Sequence, residues 1–408
     1  MATITAPLSL YVHLPWCVRK CPYCDFNSYT APRSIPAQRY VDALLVDLEA
    51  EAARAAGRTL VSVFFGGGTP SLFPPAEIAR LIAAIRERFG VGEDVEITLE
   101  ANPGTVECGD PAALLAAGVN RLSIGAQSFA ADKLLALGRI HSVADIARTV
   151  AAARRAGFAD INLDLMYALP GQDVAAALAD IDAAAALEPT HISWYQLTLE
   201  PNTVFHARPP AGIPDEDTLA AIEERGRARL AGLGFERYEV SAYARDGRRC
   251  RHNLNYWTFG DYLAVGAGAH GKISTAGRVW RYAKPAHPLA YMERIERGAP
   301  AADLHPVSAQ ERLFEFVLNG LRLTEGFDTA LFCTHTGLPA GELENRLAAE
   351  VDRGLIGRST DGRWHATALG QRFLDDLVAD FLPDDAGALC TAGRGGLVFQ
   401  GERASNSL

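Results

Sequence analysis

The chain has 408 residues, 49% of them apolar, and a formal net charge of −10. This composition excludes disordered, fibrous and disulfide-stapled classes, and it allows one large domain and one small one. The acidic balance argues against nucleic acid as a partner, and no apolar stretch is long enough for membrane insertion. Because the first residues lack a secretory leader, we expect a cytoplasmic protein whose thiols stay reduced.

Predicted strands and helices alternate through the first half of the chain. Apolar and β-branched runs predict strands over residues 8–14, 60–65, 95–100, 121–127, 161–166 and 191–199. Helical spacing predicts helices over residues 38–56, 75–88, 130–137, 143–157, 174–187 and 215–233. Asp110 and Pro111 are expected to begin one further helix. Six strands separated by helices predict a parallel sheet.

Several polar or small residues fall at or just after the ends of these predicted strands. They are Cys17, Gly67, Glu100, Gln127 and Asp164. In a (β/α) barrel the carboxyl ends of the strands share one rim, where active sites form. We therefore predict an α/β fold built on a partial (β/α)6 barrel of the TIM type.

The alternation stops after about residue 307, where a smaller domain begins. Helices are predicted over residues 311–321, 342–353 and 368–381, and a hairpin over residues 355–366. The predicted domains are a barrel over residues 1–240, an extension over 241–305, a winged-helix-like α+β domain over 306–385 and a flexible tail over 386–408. Acidic residues outnumber arginines in the winged-helix-like part, which favours protein docking or a lid over DNA binding.

Three thiols lie within eight residues, at Cys17, Cys21 and Cys24. Three thiolates can hold three irons of a [4Fe–4S] cluster and leave the fourth iron open to a small molecule. Zinc with His13 as the fourth ligand is the alternative, but no second pair of cysteine or histidine ligands follows. The remaining cysteines are scattered singly, at Cys108, Cys250, Cys333 and Cys390.

The spacing CxxxCxxC, with Tyr23 before the last cysteine, resembles the signature of the radical S-adenosylmethionine (SAM) superfamily. The resemblance implies a cluster on the three cysteines and SAM on the open iron. The segment Gly66-Gly67-Gly68-Thr69-Pro70 is similar to the superfamily's segment that contacts the methionyl amine of SAM, and glycines allow close backbone approach. Similarity to the coproporphyrinogen oxidase-like branch implies further SAM contacts at Tyr11, Tyr23, Glu100, Gln127, Arg139 and Asp164.

Two features distinguish branches of this superfamily. Oxygen-independent coproporphyrinogen III oxidases carry a further cysteine two positions after the third, where this chain has Phe26. The run from His252 to Trp257 instead resembles the HNxxYW motif of the radical SAM haem chaperone family. Imidazole is an ordinary axial ligand of haem iron, and Tyr256 and Trp257 offer flat faces to a macrocycle. His252 is the expected haem-binding residue; a packing role for it, or ligation by His270 or Cys250, are the alternatives.

The resemblance implies a haem chaperone rather than a metabolic enzyme. Its cofactors would be a [4Fe–4S] cluster and SAM, and its cargo would be haem. Its partners would be haem-dependent enzymes, membrane-bound respiratory proteins among them, and a homodimer is left open. The alternative function is oxygen-independent coproporphyrinogen III oxidase, which would use the same cluster and SAM to decarboxylate its substrate oxidatively.

Overall fold

The computed structural model describes residues 4–104, 109–299 and 301–383. The tail predicted for residues 386–408 lies outside the described residues, as do Cys108 and Cys390. Within the described ranges, no helix combines the length and the apolar character needed to cross a bilayer.

Strands and helices alternate through the first half of the chain, as predicted. The elements are β1 (Leu8–Leu14), β2 (Trp16–Cys17), β3 (Tyr29–Thr30), α1 (Ala37–Ala55), β4 (Leu60–Gly67), a 3₁₀ helix (Pro70–Leu72), α2 (Pro75–Phe89), β5 (Glu96–Ala101), α3 (Pro111–Ala117), β6 (Arg121–Gln127), α4 (Ala131–Ala136), α5 (Val143–Ala156), β7 (Asp160–Tyr167), α6 (Val174–Ala185) and β8 (His191–Gln196). Asp110 caps α3 by accepting a hydrogen bond from Ala112 N–H, and Pro111 takes the first helical position.

A second set of elements extends the sheet at both of its edges. They are α7 (Val204–Ala207), α8 (Glu216–Gly232), β9 (Glu236–Arg237), β10 (Ala242–Ala244), α9 (Arg251–Trp257), β11 (Asp261–Val265), β12 (His270–Thr275), β13 (Arg278–Ala283), α10 (Pro288–Glu296) and β14 (His305–Val307). The strands of residues 241–305, predicted as an extension, therefore belong to the main sheet.

Twelve strands of the described residues form one open sheet, in the order β14-β13-β12-β11-β1-β4-β5-β6-β7-β8-β10-β9. The six predicted strands are adjacent and parallel, from β1 to β8, which confirms the predicted α/β sheet. A further parallel strand, β11, pairs with the free side of β1. β11 was not predicted from the sequence, because its pairing with the first strand of the chain leaves no mark on periodicity.

Buried ionic contacts fix the extension against the barrel. Lys284 directly follows β13, and its Nζ lies 2.7 Å from both Asp47 Oδ1 and Glu51 Oε1 on α1. All three side chains are 0% exposed. The hydroxyl groups of Tyr291 and Tyr282 donate to the same two carboxylates. Because each buried charge is paired, this cluster joins α1 to the far half of the sheet at a tolerable desolvation cost.

The C-terminal domain has its own hydrophobic core. Its elements are α11 (Ala309–Gly320), α12 (Thr329–Thr336), α13 (Ala340–Asp352), β15 (Ile356–Arg358), β16 (Trp364–Ala366), α14 (Ala368–Arg372) and α15 (Leu374–Ala379). The Phe316 ring packs against Phe327 and Phe332, with centroids 4.9 and 5.1 Å apart. The helices and the antiparallel hairpin agree with the predicted α+β domain, although α12 was not predicted. The single helix predicted over residues 368–381 is wrong, because the chain leaves helical geometry at Phe373, where φ is −117° and ψ is 40°.

Candidate cofactor-binding cleft

The carboxyl ends of the parallel strands open into one cleft with a volume of about 880 Å³. Residues 371–376 of the C-terminal domain form part of its wall. Of the thirteen predicted binding residues, eleven line the cleft: Cys17, Cys21, Tyr23, Cys24, Gly67, Gly68, Thr69, Glu100, Gln127, Arg139 and Asp164. The structure thus brings together residues that are up to 147 positions apart, from residue 17 to residue 164.

The three cysteines lie in a loop that follows β1. Cys17 ends β2 and is buried, and Cys21 and Cys24 are half-buried in the following turns. Lys20 Nζ holds the loop by donating to two of its backbone carbonyl oxygens, at 3.0 and 3.1 Å. Burial raises the pKa of the Cys17 thiol to about 11, although a hydrogen bond with Thr69 lowers it. Metal binding to such thiols therefore releases protons.

The glycine segment at the end of β4 packs directly on the chain that leads into the cysteine loop. A Cβ atom on Gly68 would lie 2.6 Å from the carbonyl oxygen of Trp16, and one on Gly67 would lie 2.5 Å from the His13 ring. Gly67 also has a φ of +117°, which side chains rarely allow. Gly68 is therefore required by its contact with the Trp16 backbone, and Gly67 by its contact with the His13 ring and by its φ.

Two buried carboxylates lie near the ends of β5 and β7. Glu100 Oε2 accepts a hydrogen bond from Gly67 N–H at 3.1 Å. Burial, and then the charge of Asp164, raise the pKa of Glu100 to about 8. Asp164 accepts hydrogen bonds from Ser123 Oγ at 3.0 Å and Asn162 Nδ2 at 2.7 Å, and burial raises its pKa as well. A cationic ligand beside them would favour the charged form of both carboxylates.

Arg139 connects the cysteine loop with the strand ends. Its guanidinium donates to Cys21 Sγ at 3.7 Å, to the carbonyl oxygen of Gly125 at 3.0 Å and to Asn102 Oδ1 at 2.5 Å. It also hydrogen-bonds the hydroxyl of Tyr23, whose pKa is raised by burial. Hydrogen bonds to the sulfur ligands are one of the means by which a protein sets the reduction potential of an iron–sulfur cluster.

Gln127 ends β6 in an unusual backbone conformation. Its φ of +66° lies in the left-handed region, which carries a cost for a residue with a side chain. The pairing register between β6 and β7 shifts between Ile124 and Gln127. Gln127 Oε1 accepts a hydrogen bond of 2.7 Å from Tyr195 Oη, which lies on β8. The irregular strand end is therefore tied to a neighbouring strand at the cleft.

Two predicted binding residues do not line the cleft. Tyr11 lies within β1 and is 5% exposed, and its hydroxyl is 3.0 Å from His13 Nδ1. His252 lies in α9 and is 1% exposed, with Nδ1 2.9 Å from Ser62 Oγ and Nε2 3.3 Å from Tyr256 Oη. Burial lowers the pKa of His252 to about 3. Both ring nitrogens of His252 thus have partners inside the protein.

The alternative haem ligands also lie away from the cleft. Cys250 is buried, and its thiol donates to Glu96 Oε1 at 3.4 Å. His270 begins β12 and does not line the cleft. Of the segment from His252 to Trp257, all of which the structure describes, Trp257 alone lines the cleft.

Several residues of the cleft were not predicted from the sequence. Asn102 Nδ2 donates to Thr69 Oγ1 at 2.9 Å and so links the β5 turn to the glycine segment. Arg237 and Arg322 line the cleft from β9 and from the turn after α11. The Asn-Pro-Gly turn after Glu100 was a usable signal for Asn102, but the two arginines belong to no local motif.

The donor set fits a [4Fe–4S] cluster. The three thiols are free and line one cleft, and a cubane places each thiolate on a different iron. Zinc would need four ligands around one ion. Among the residues that the structure describes, no three Cys, His, Asp or Glu side chains are placed to hold one metal ion, and this includes Cys17, Cys21 and Cys24. His13, the fourth ligand considered for zinc, hydrogen-bonds Tyr11 and the carbonyl oxygen of Asn27 instead.

An open parallel sheet with a three-cysteine loop, a glycine segment and buried carboxylates in one cleft defines a radical SAM protein. The model of the Radical SAM superfamily matches residues 11–184, and that of the HemN C-terminal domain matches residues 307–373. The chain is 45% identical over 384 residues to heme chaperone HemW of Haemophilus influenzae and 44% identical over 379 residues to that of Escherichia coli. Each comparison covers 93% of this chain and 99% of the relative. The chain therefore belongs to the HemW family of the radical SAM superfamily.

The fold is also similar to that of a solved structure. Coproporphyrinogen III oxidase (HemN) from Escherichia coli, described as a radical SAM enzyme, superposes with a TM-score of 0.77 at 24% sequence identity. The similarity covers 92% of this chain and 90% of that one. It extends through the C-terminal domain, so the two proteins share the arrangement of barrel and C-terminal domain.

Proposed function

We propose that this chain is a cytoplasmic haem chaperone that holds a [4Fe–4S] cluster, binds SAM and receives haem for delivery to haem-dependent enzymes. The convergence of eleven predicted residues on one cleft carries the proposal. The HemW relatives are heme chaperones by name, which supports haem as the cargo. Membrane-bound respiratory proteins are the recipients that we expect, and a homodimer stays a prediction.

In this proposal Cys17, Cys21 and Cys24 hold the cluster. When bound, the cluster supplies an iron open to SAM and an electron for its cleavage. Arg139 donates to Cys21 Sγ and so partly compensates the charge of that thiolate. Lys20 keeps the loop closed through its two backbone contacts.

The SAM contacts would come from the glycine segment and the two carboxylates. SAM carries positive charge on its sulfonium and amino groups, and Glu100 and Asp164 are buried carboxyls with raised pKa values. Pairing with a cation lowers those pKa values, so SAM binding near neutral pH would release protons. Tyr11, which lies beneath the glycine segment, would act through its packing: the Tyr11 ring is 3.0 Å from where a Cβ on Gly66 would lie.

Haem would enter the part of the cleft not taken by SAM. The volume of about 880 Å³ lies in the upper range of small-molecule sites, roughly 300–1,000 Å³. His252 stays our predicted iron ligand, and it requires Ser62 or Tyr256 to release a ring nitrogen. Trp257, at the other end of the same helix, already lines the cleft.

Anaerobic reconstitution followed by metal analysis and hemin titration tests the proposal. Wild-type protein should contain about four irons and four sulfides per chain. Cys24→Ser should lose them, whereas the control Cys333→Ser, at a free cysteine outside the cleft, should keep them. Hemin should give a shifted Soret band that His252→Ala weakens. Zinc in place of iron, or hemin spectra that the protein leaves unchanged, would contradict the proposal.

An activity assay of the same reconstituted protein distinguishes the chaperone function from the alternative, oxygen-independent coproporphyrinogen III oxidase. Phe26 lines the cleft beside the cysteine loop, at the position where the oxidases carry a further cysteine. We therefore expect no protoporphyrinogen from coproporphyrinogen III with SAM and a reductant. Sustained product formation would establish the oxidase instead.

A further inference from the structure

A second part of the cleft is lined by residues that neither the cluster nor SAM requires. Arg237 ends β9, Trp257 ends α9, and Arg322 follows α11 in the C-terminal domain. Gln371, at the end of α14, lies beside them. This part of the cleft is therefore built jointly by the main sheet and the C-terminal domain.

Two buried donors in this region have no acceptor. Trp257 is 4% exposed, and its indole N–H has no hydrogen-bond partner among the described residues. The Arg322 guanidinium lies over the Trp257 ring, 4.2 Å from its centroid. Its Nη2 forms an ion pair with the buried Glu239 carboxylate, 3.2 Å from Oε2, whereas its buried Nε lacks a partner in the same described part of the chain. Since buried polar groups are normally paired, two unpaired donors on stacked side chains point to an acceptor that a ligand supplies.

Arg237 adds a positive charge that is not neutralised by contact. Its Nε donates to the carbonyl oxygen of Glu239 at 3.1 Å and its Nη1 to Gln371 Oε1 at 3.2 Å. Both acceptors are neutral, and Arg237 forms no ion pair with the residues that the structure describes. Arg227, which lines the same cleft, is by contrast paired with Glu223. The region therefore contains two buried N–H donors without an acceptor, and one guanidinium, that of Arg237, without a carboxylate partner among the described residues.

We propose that Arg237, Arg322 and Trp257 form a carboxylate-binding end of the cleft, which takes a propionate group of the haem. The inference rests on the proposed haem-chaperone function and adds to it the orientation of the porphyrin. A guanidinium binds a carboxylate through two parallel N–H···O bonds, and the indole N–H supplies a further donor. Because Arg322 lies in the C-terminal domain, the same contact joins the cargo to that domain.

Titration of reconstituted full-length protein with hemin and with hemin dimethyl ester tests the site. The ester keeps the iron and the macrocycle but has no carboxylate. Wild-type protein should bind hemin about tenfold or more tightly than the ester, because one charge-assisted hydrogen bond contributes about that factor to the affinity. Arg237→Gln and Arg322→Gln should each weaken hemin binding by about tenfold or more and leave ester binding unchanged. Trp257→Phe, which keeps a ring but removes the N–H, should show a smaller loss of the same kind.

Matched variants make the test specific. Arg229→Gln changes an arginine of α8 that pairs with Asp182 and does not line the cleft, so it should change neither affinity. Arg237→Lys and Arg322→Lys keep the charge but lose the planar guanidinium that donates two parallel hydrogen bonds. They should bind hemin with intermediate affinity. If a Gln variant fails to fold, the Lys variant at that position provides the measurement.

Three results would overturn the site. Equal binding of hemin and its ester by wild-type protein, or equal loss of both ligands in the Gln variants, would remove the carboxylate site and leave haem binding in place. Failure of wild-type protein to bind hemin at all would overturn the haem-chaperone function and this site together.

Discussion

Replacing Glu100 with Gln should stabilise the ligand-free protein at alkaline pH. Glu100 is buried, and its pKa rises from 4.5 to about 8. When folding raises the pKa of a carboxyl, the free energy of unfolding is unaffected at pH values below the pKa of the unfolded state. It decreases as the pH rises from that pKa to the pKa of the folded state. The difference between the two pKa values, 8 and 4.5, multiplied by 1.36 kcal/mol, gives a total decrease of about 5 kcal/mol in the free energy of unfolding. Gln removes the charge and keeps an oxygen for the Gly67 N–H bond.

Urea unfolding of the ligand-free protein at pH 5 and pH 9 measures this effect. The free energy of unfolding of Glu100→Gln relative to wild type should increase by roughly 4 kcal/mol between the two pH values. Glu87→Gln, at a side chain that is 81% exposed, is the control and should show no such increase. A variant that is destabilised at pH 9, or that gains equally at both pH values, would refute the electrostatic reasoning. The same variant should bind SAM more weakly, because a carboxylate is lost.

Three further predictions follow from contacts described above. Gly68→Ala should lower the iron content, because the new Cβ would lie 2.6 Å from the Trp16 carbonyl oxygen and would displace the chain leading into the cysteine loop; iron and sulfide analysis measures this. Lys284→Met should destabilise the protein by roughly 3–5 kcal/mol, because two fully buried carboxylates on α1 lose their cation; urea unfolding at pH 7 measures this. Arg139→Gln should lower the reduction potential of the cluster, because Cys21 Sγ loses a positively charged donor; redox titration followed by electron paramagnetic resonance measures this.

Each of these predictions has a contrary outcome, and the glycine variant also has a matched control. Gly92→Ala places a Cβ in open space and should keep full iron content, so an equal loss in both glycine variants would contradict the packing argument. A Lys284→Met protein with the same free energy of unfolding as wild type would contradict the prediction. It would show that Asp47 and Glu51 are protonated in the variant without loss of stability. An unchanged or higher potential in Arg139→Gln would exclude the N–H···S contact as a determinant of the potential.

The parallel sheet and the eleven predicted residues of the cleft were predictable because their signals are local. Each of the six strands is a short apolar run followed by a turn or a glycine segment, and the cysteine spacing is contained within residues 17–24. The strand β11 was missed because its partner is the first strand of the chain, and such a distant pairing leaves no mark on periodicity. The break at Phe373 was missed for a similar reason: residues 368–381 have helical spacing on both sides of it.

The rest of the cleft depends on contacts between distant segments. The motif that contains His252 indicated a ligand, but the partners that occupy its ring nitrogens include Ser62, which belongs to a different part of the chain. Trp257 and Arg322 are stacked although 65 positions separate them. No single-sequence pattern reports an unpaired buried donor, because its definition requires all of its neighbours to be known.

The position of β1 in the sheet bears on the order of biosynthesis. β1 is paired on one side with β4 and on the other with β11, so the strand that carries the cysteine loop is internal. While the ribosome has made only the first 260 residues, one side of β1 is an exposed edge, and such edges invite pairing with other chains. Residues 261–265 close that edge, and only then is the support beneath the loop complete. The strand that leads into the cysteine loop therefore becomes internal only after nearly two-thirds of the chain has been made.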